Sequence, residues 1–187
     1  KHAFHGRTGY TLSLTNTSDP RKTMYFPKFD WPRIDIPKLS FPITDIVLQE
    51  VEKNERIAID QIKTALANNK DDVAALIIEP IQGEGGDNHF RDEFFVALRQ
   101  LCDENEMLFI MDEVQTGIGI TGKWWAHQHF SVKPDIISFG KKTQVCGLLA
   151  GPRVEEVENN VFSESSRINS TFGGNLADMV RFHIILE

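Results

Sequence analysis

Apolar residues gather into three short uninterrupted runs along this chain, and each run stops at a charged or glycine-rich tip. Val73 to Ile78 ends at Glu79-Pro80, Met107 to Met111 ends at Asp112-Glu113, and Ile136 to Phe139 ends at Gly140-Lys141-Lys142. Runs this short, apolar without alternation, predict strands buried in a sheet. Between the first two, Asp92 to Glu106 carries Phe94, Phe95, Leu98, Leu101 and Cys102 on one face of an amphipathic helix. Upstream, Asp45 to Asn69 reads as helix in two pieces, with Ala58, Ile62, Ala65 and Leu66 at helical spacing before a polar turn at Asn68 to Asp72. Strand, helix, strand, helical segment and strand in that order predict an α/β fold, a mostly parallel sheet covered by helices. Gly147 to Gly151 adds a short strand, Val154 to Asn160 a helix, and Leu176 to Leu186 the start of another.

Two stretches stand outside this alternation. Pro20, Pro27, Pro32, Pro37 and Pro42 recur among Phe26, Phe29, Trp31 and Phe41, which argues against regular helix from Ser18 to Pro42 and predicts an extended, aromatic-anchored excursion. A long irregular segment in a compact domain is often functional. Phe4-His5-Gly6-Arg7-Thr8-Gly9 sets two glycines around a basic residue, the pattern of a tight backbone that carries polar side chains toward a ligand or simply of a surface turn.

Composition narrows the class. With 187 residues, 41% hydrophobic and 25% charged, the chain buries a real core and reads as one domain or a large piece of one. A formal charge of -7 argues against a nucleic-acid partner. No apolar run approaches bilayer length, and Lys1 to Tyr10 lacks the layout of a secretory signal. Cys102 and Cys146 have no metal-like spacing and fit a reducing, cytoplasmic setting. His127 and His129, two residues apart, diverge on a helix and are read as solvated or packing residues, so no metal site is expected.

The strand tips carry the candidate chemistry, because ligands of open α/β sheets bind outside the carboxyl ends of the strands. Gly117-Ile118-Gly119-Ile120-Thr121-Gly122-Lys123 imitates a phosphate loop, but Trp124 stands where a metal-holding hydroxyl is needed and the loop has no strand of its own. Pyridoxal phosphate chemistry fits better. It needs an amine to hold the cofactor and a carboxylate to keep the ring nitrogen protonated, so that substrate electrons flow into the ring. A strand-end lysine and a strand-end aspartate sharing one pocket supply both.

Phe4-His5-Gly6-Arg7, Glu79-Pro80-Ile81-Gln82-Gly83-Glu84, Leu108 to Gly117, Pro134 to Lys141, and Ser170-Thr171-Phe172-Gly173-Gly174-Asn175 together resemble the class III pyridoxal-phosphate aminotransferases, the ornithine and 4-aminobutyrate group, in order and from end to end. More narrowly, Gly140 to Gly147 and Pro27 to Pro32 resemble a lysine-using subgroup, since most of the class has small residues and glycines after the lysine. The resemblance implies the large domain of a fold-type I transferase, a three-layer αβα sandwich. The family's phosphate-cradling loop should precede Lys1 and its substrate arginine should follow Glu187, so residues 1–187 are expected to be the central part of that domain in a longer protein, inactive alone.

The resemblance also assigns roles. Lys141 falls where the Schiff-base lysine lies; Lys142 is its rival, and strand parity does not separate them. Asp112 pairs with the pyridine nitrogen of pyridoxal 5'-phosphate, Val114 packs beneath the ring, Gln115 meets its phenolic oxygen and also lines the substrate site, and Phe4, beside His5 in the same cofactor-binding segment, stacks on the opposite face where the family commonly has Tyr. Thr171 reaches the phosphate bound by a neighbouring subunit, which implies a homodimer. Glu84 matches the acid that pairs with a substrate-binding arginine and releases it for a dicarboxylate, while Arg7 and Asn169 are substrate contacts and Glu79 braces the site. The expected reaction moves the ε-amino group of L-lysine to 2-oxoglutarate. Another ω-aminotransferase acting on ornithine or 4-aminobutyrate is the nearest alternative, and a non-catalytic module binding phosphorylated ligands the more distant one.

Overall fold

Strand β2 (Leu108–Asp112) is an inner strand of a four-stranded sheet in the order β1-β2-β3-β4. The computed structural model describes residues 1–168 and 170–187. On one side β1 (Ala75–Ile78) pairs in parallel, Ala75 opposite Leu108 and Ile78 opposite Met111. On the other side β3 (Ile136–Phe139) also runs parallel, with Asp112 opposite Ser138. The chain then needs only the short turn at Lys141–Thr143 before β4 (Gly147–Ala150), too short for a crossover, so β4 returns antiparallel with Gly147 opposite Phe139. Three strands therefore end at the same edge. That edge gathers Glu79, Asp112 and Gly140-Lys141.

Between β1 and β2 the crossover is α3 (Asp92–Glu104), as its amphipathic pattern predicts. Its Phe95 and Leu98 pack with Phe109 and Met111 of β2, and α2 (Asp45–Asn68) adds Ala58 and Ile62 to the same core. Phe95, Phe109 and Met111 are fully buried. Phe95 and Phe130 lie with ring centroids 4.3 Å apart, which ties the β2–β3 connection to this layer. The architecture is α/β, with a mixed but mostly parallel sheet and helices packed on it.

Beyond shifts of one or two residues at the ends of α3, β2 and β4, several elements differ from the sequence expectations. The segment Asp45–Asn68 is one helix, not two pieces: Thr44 caps it by accepting from the Val47 N–H, and its polar middle contains no glycine or proline. There Glu55 is drawn to α3 by Arg91, whose Nη2 lies 2.6 Å from Glu55 Oε2. Strand β1 starts at Ala75 rather than Val73. Val154 to Asn160 forms only a 3-10 turn, Pro152–Glu156, and the backbone leaves helical space at Asn159 with φ +56°. A short helix, α1 (Gly9–Leu14), occupies a stretch where no helix was expected.

The N-terminal segment lies over the opposite face of the sheet. His5 reaches Asp112, and the Phe4 N–H reaches Glu79. A cavity of about 630 Å³ is lined both by this segment and by α2, among others by Ile77, Ile110, Trp31, Ile34, Ile62 and Leu66. Near the other end of the chain α4 (Leu176–Leu186), capped by the Asn175 side chain, stacks Phe182 on Phe139 at 5.3 Å.

Candidate active site

Asp112, at the tip of β2, is held by three donors. Its Oδ2 accepts from His5 Nδ1 at 2.7 Å, while Oδ1 accepts from the Val114 N–H at 3.1 Å and the Ser138 hydroxyl at 2.9 Å. The Ser138 contact follows from the register, which sets residues 112 and 138 side by side on one face of the sheet. Burial works against its ionisation, but the hydrogen bond and charge of His5, with the Val114 and Ser138 donors, bring its pKa below the ordinary carboxylate value. A buried, ionised carboxylate at a strand tip results.

Glu79 stands at the tip of the neighbouring strand in the opposite condition. Its Oε1 accepts from the Phe4 N–H at 2.9 Å and its Oε2 from the Gly83 N–H at 3.4 Å, yet burial pushes its pKa up. It fastens the Phe4-His5 segment and the Gly83 loop to the sheet edge. A Cβ at Gly83 would lie 2.3 Å from Gln115 Nε2, so a larger residue there would have to displace the Gln115 amide.

Gln115 joins the acid's strand to the lysines. Lys141 Nζ donates to Gln115 Oε1 at 2.9 Å, and Lys142 Nζ donates to the Gln115 carbonyl at 2.6 Å. Lys141 adopts φ +54°, a conformation costly for a side chain with a Cβ and one often retained at functional sites. It is exposed, whereas Lys142 is half-buried and burial lowers its pKa. Val114 approaches the Lys141 turn, its Cγ1 lying 3.5 Å from where a Cβ on Gly140 would be. His5, Asp112, Val114, Gln115 and Lys141 thus share one sheet edge.

The remaining expected residues surround this centre unevenly. Arg7 is exposed, with its guanidinium 5.8 Å from the centroid of the Phe4 ring. Glu84 follows Gly83 and pairs with Lys22, while the Thr17 hydroxyl donates to the same oxygen at 3.1 Å. Thr171 sits on an exposed turn before α4 and makes no hydrogen bond to the cluster among the described residues. Asn169 lies outside the described residues.

Sequence reasoning missed Ser138, whose role depends on register, and it misread His127. That side chain is neither solvated nor merely packed: its Nδ1 lies 2.8 Å from Oε1 of Glu113, a fully buried acid that also accepts from the Ala126 and His127 N–H groups at 2.5 and 2.9 Å. The one available signal was an acid directly following a strand-end aspartate, too close to the sheet to be solvated.

An ionised acid, a primary amine and a side-chain amide converge on this edge, and pyridoxal phosphate asks for that set of donors and acceptors. The acid is buried and already charged, as an electrostatic partner for a pyridinium must be. The residues present therefore fit the cofactor.

The chain belongs to the class III aminotransferases, whose family model matches residues 1–187, and this family depends on pyridoxal phosphate. It is 57% identical over 185 residues to an L-lysine-epsilon aminotransferase of Mycobacterium tuberculosis, covering 99% of this chain and 40% of the relative. An L-lysine-epsilon aminotransferase of Amycolatopsis lactamdurans is 54% identical over 187 residues, 100% of this chain and 41% of the relative. Among solved structures, a lysine aminotransferase from M. tuberculosis in the internal aldimine form superposes with a TM-score of 0.93 at 55% identity, covering 100% of this chain and 42% of that one. The chain spans about two fifths of the length of these relatives.

Proposed function

We propose that this chain is the central part of the large domain of a pyridoxal-phosphate-dependent aminotransferase that moves the ε-amino group of L-lysine to 2-oxoglutarate. The products are glutamate and 2-aminoadipate 6-semialdehyde, formed by a ping-pong cycle in a cytoplasmic homodimer with shared active sites. The observation that carries the reading is the single sheet edge on which Asp112 and Lys141 are linked through the Val114-Gln115 turn. The identity to lysine-using relatives over the whole chain supports the choice of amino donor.

Asp112 would hold the ring nitrogen of the cofactor, Lys141 its aldehyde carbon, Gln115 its phenolic oxygen, Val114 and Phe4 its two faces, and Thr171 the phosphate in the neighbouring subunit. When bound, the cofactor supplies an electron sink for the pair of electrons left on a substrate carbon. Asp112 keeps a proton on the ring nitrogen because a carboxylate fixed by three donors and held ionised favours the charged partner. Lys141 Nζ, once freed by the incoming amine, would take the proton from the carbon bearing the substrate's amino group and pass it to the cofactor's aldehyde carbon, and would carry a proton the opposite way in the second half-reaction. Arg7 offers a guanidinium that suits a carboxylate bidentately, and Glu84 and Asn169 complete the substrate side.

A substrate panel on the full-length protein tests this. With 2-oxoglutarate as acceptor, glutamate should form with L-lysine in preference to ornithine or 4-aminobutyrate, and borohydride should fix the cofactor to Lys141. Failure of lysine to support glutamate formation refutes the assignment.

A further inference from the structure

Two adjacent lysines reach one glutamine in this structure, and they grip it differently. Lys141 takes the side-chain oxygen at 2.9 Å, while Lys142 takes the main-chain oxygen at 2.6 Å. The second contact spans the sheet edge from the turn after β3 to the turn after β2. Among the described residues it is the only hydrogen bond made by the Lys142 ammonium.

We propose that Lys142 is a positioning residue of the cofactor site: by holding the Gln115 carbonyl it fixes the Val114-Gln115 turn against the Lys141 turn, and so sets where the Gln115 amide and Lys141 Nζ stand relative to Asp112.

The surrounding geometry makes that tether consequential. Among the described residues no other hydrogen bond reaches the Gln115 main chain, although the Gly117 N–H closes the surrounding turn on the Glu113 carbonyl at 2.8 Å; the Gln115 side chain is confined by the Gly83 loop, which approaches closely enough that a Cβ there would overlap the amide. The preceding residue is anchored by the Val114 N–H on Asp112 Oδ1, and the next by the Thr116 hydroxyl, 3.4 Å from Glu113. Without Lys142, the carbonyl between these two anchors has no partner among the described residues. On the other side, Thr143 is fully buried with its hydroxyl on the Val145 carbonyl at 2.6 Å, so the turn carrying the lysines is stiff enough to transmit the constraint.

The charges that face Lys142 are those of Lys141 and Glu113, with opposite effects on its protonation. Glu113 is committed to the 126–127 main chain and to His127, so it attracts the ammonium without replacing Gln115 as its partner. A long side chain ending in a donor is what the site requires. Methionine keeps the unbranched chain up to the position of the lysine Cε but has no donor, and arginine restores one.

This inference rests on the reading that Lys141 holds the cofactor, and the full-length holoenzyme can separate the two. Lys142→Met and Lys142→Gln should each loosen pyridoxal phosphate about tenfold, the loss expected from one hydrogen bond by a charged donor. Both should also shift the pH midpoint of the cofactor's visible absorption and lower kcat without raising the KM for lysine. Lys142→Arg should restore the midpoint, and in every variant borohydride should still mark Lys141. Met and Gln variants with unchanged absorption and cofactor affinity overturn the positioning role alone, as does an arginine variant displaced as far as the methionine one. Marking at Lys142 overturns this role and the lysine assignment together.

Discussion

Replacing His5 with alanine tests the charge at the heart of the site. The His5 and Asp112 side chains are 3% and 8% exposed, and their atoms meet at 2.7 Å. Removing the imidazole leaves Asp112 Oδ2 without its donor, while the Val114 and Ser138 contacts to Oδ1 persist. A hydrogen bond to a buried charged group is worth about 1.5–3 kcal/mol, so His5→Ala should cost roughly that much at neutral pH. In the wild-type protein the folded pKa of Asp112 is depressed, so its contribution to stability is present above the unfolded value of about 3.9 and is lost as pH falls through the folded one. Without His5, burial, the largest influence on this group, should raise the folded pKa instead. The sign then reverses: this carboxylate would favour folding when protonated and oppose it as pH rises. Urea unfolding of the apo-protein across the acid range, with Asp112→Asn and the double variant, measures both effects. The double variant should lose at least about 1.5 kcal/mol less than the sum of the two singles, the coupling expected of residues in direct contact. Additive losses, or a His5→Ala variant whose acid limb coincides with wild type, would refute the account of Asp112.

Gly83→Ala brings a Cβ to within 2.3 Å of Gln115 Nε2, so the amide must move and its contact with Lys141 should weaken. Overpacking of this kind costs about 1–3 kcal/mol; cofactor titration should show weakened binding, and affinity equal to wild type would count against the Gln115 link. Glu79→Gln keeps an acceptor for the Phe4 N–H but removes a carboxyl whose folded pKa is raised mainly by burial. That group's contribution to stability is present below its unfolded pKa and lost as pH rises through the folded one, so unfolding at several pH values should find the glutamine variant gaining on wild type over that interval. A pH-independent difference would contradict this.

Much of the sheet was legible because its strands are apolar runs and α3 carries a clear one-sided stripe. The strand tips were legible for the same reason, since a run that stops at Asp112 or just before Lys141 announces where its charged residue emerges. What stayed hidden depends on distance along the chain. Ser138 reaches Asp112 only because β2 and β3 share a particular register, and His127 finds Glu113 only because the β2–β3 connection folds back on itself. Helix boundaries failed where local propensity was weak. The polar middle of α2 looks like a break until Arg91 of the α3 N-terminus is seen to neutralise it. The 154–160 stretch looks helical until the turn after Pro152 commits the backbone elsewhere.

The two acids at adjacent strand tips show why register matters more here than residue type. Asp112 and Glu79 stand at neighbouring strand tips, near His5, and the charge of Asp112 adds to the cost of ionising Glu79. Three donors on Asp112 settle that competition in its favour, while Glu79 has only backbone N–H donors, one of them at 3.4 Å. Burial is the largest influence on both, yet it is overcome only at Asp112. Environments that push paired carboxyls apart assign them different work. Here the difference favours a charge at the tip of β2 and relieves it at the tip of β1. Under the proposed function, a cationic ring nitrogen would be drawn to Asp112 rather than shared between the acids, with the Lys141 amine on the neighbouring strand's turn.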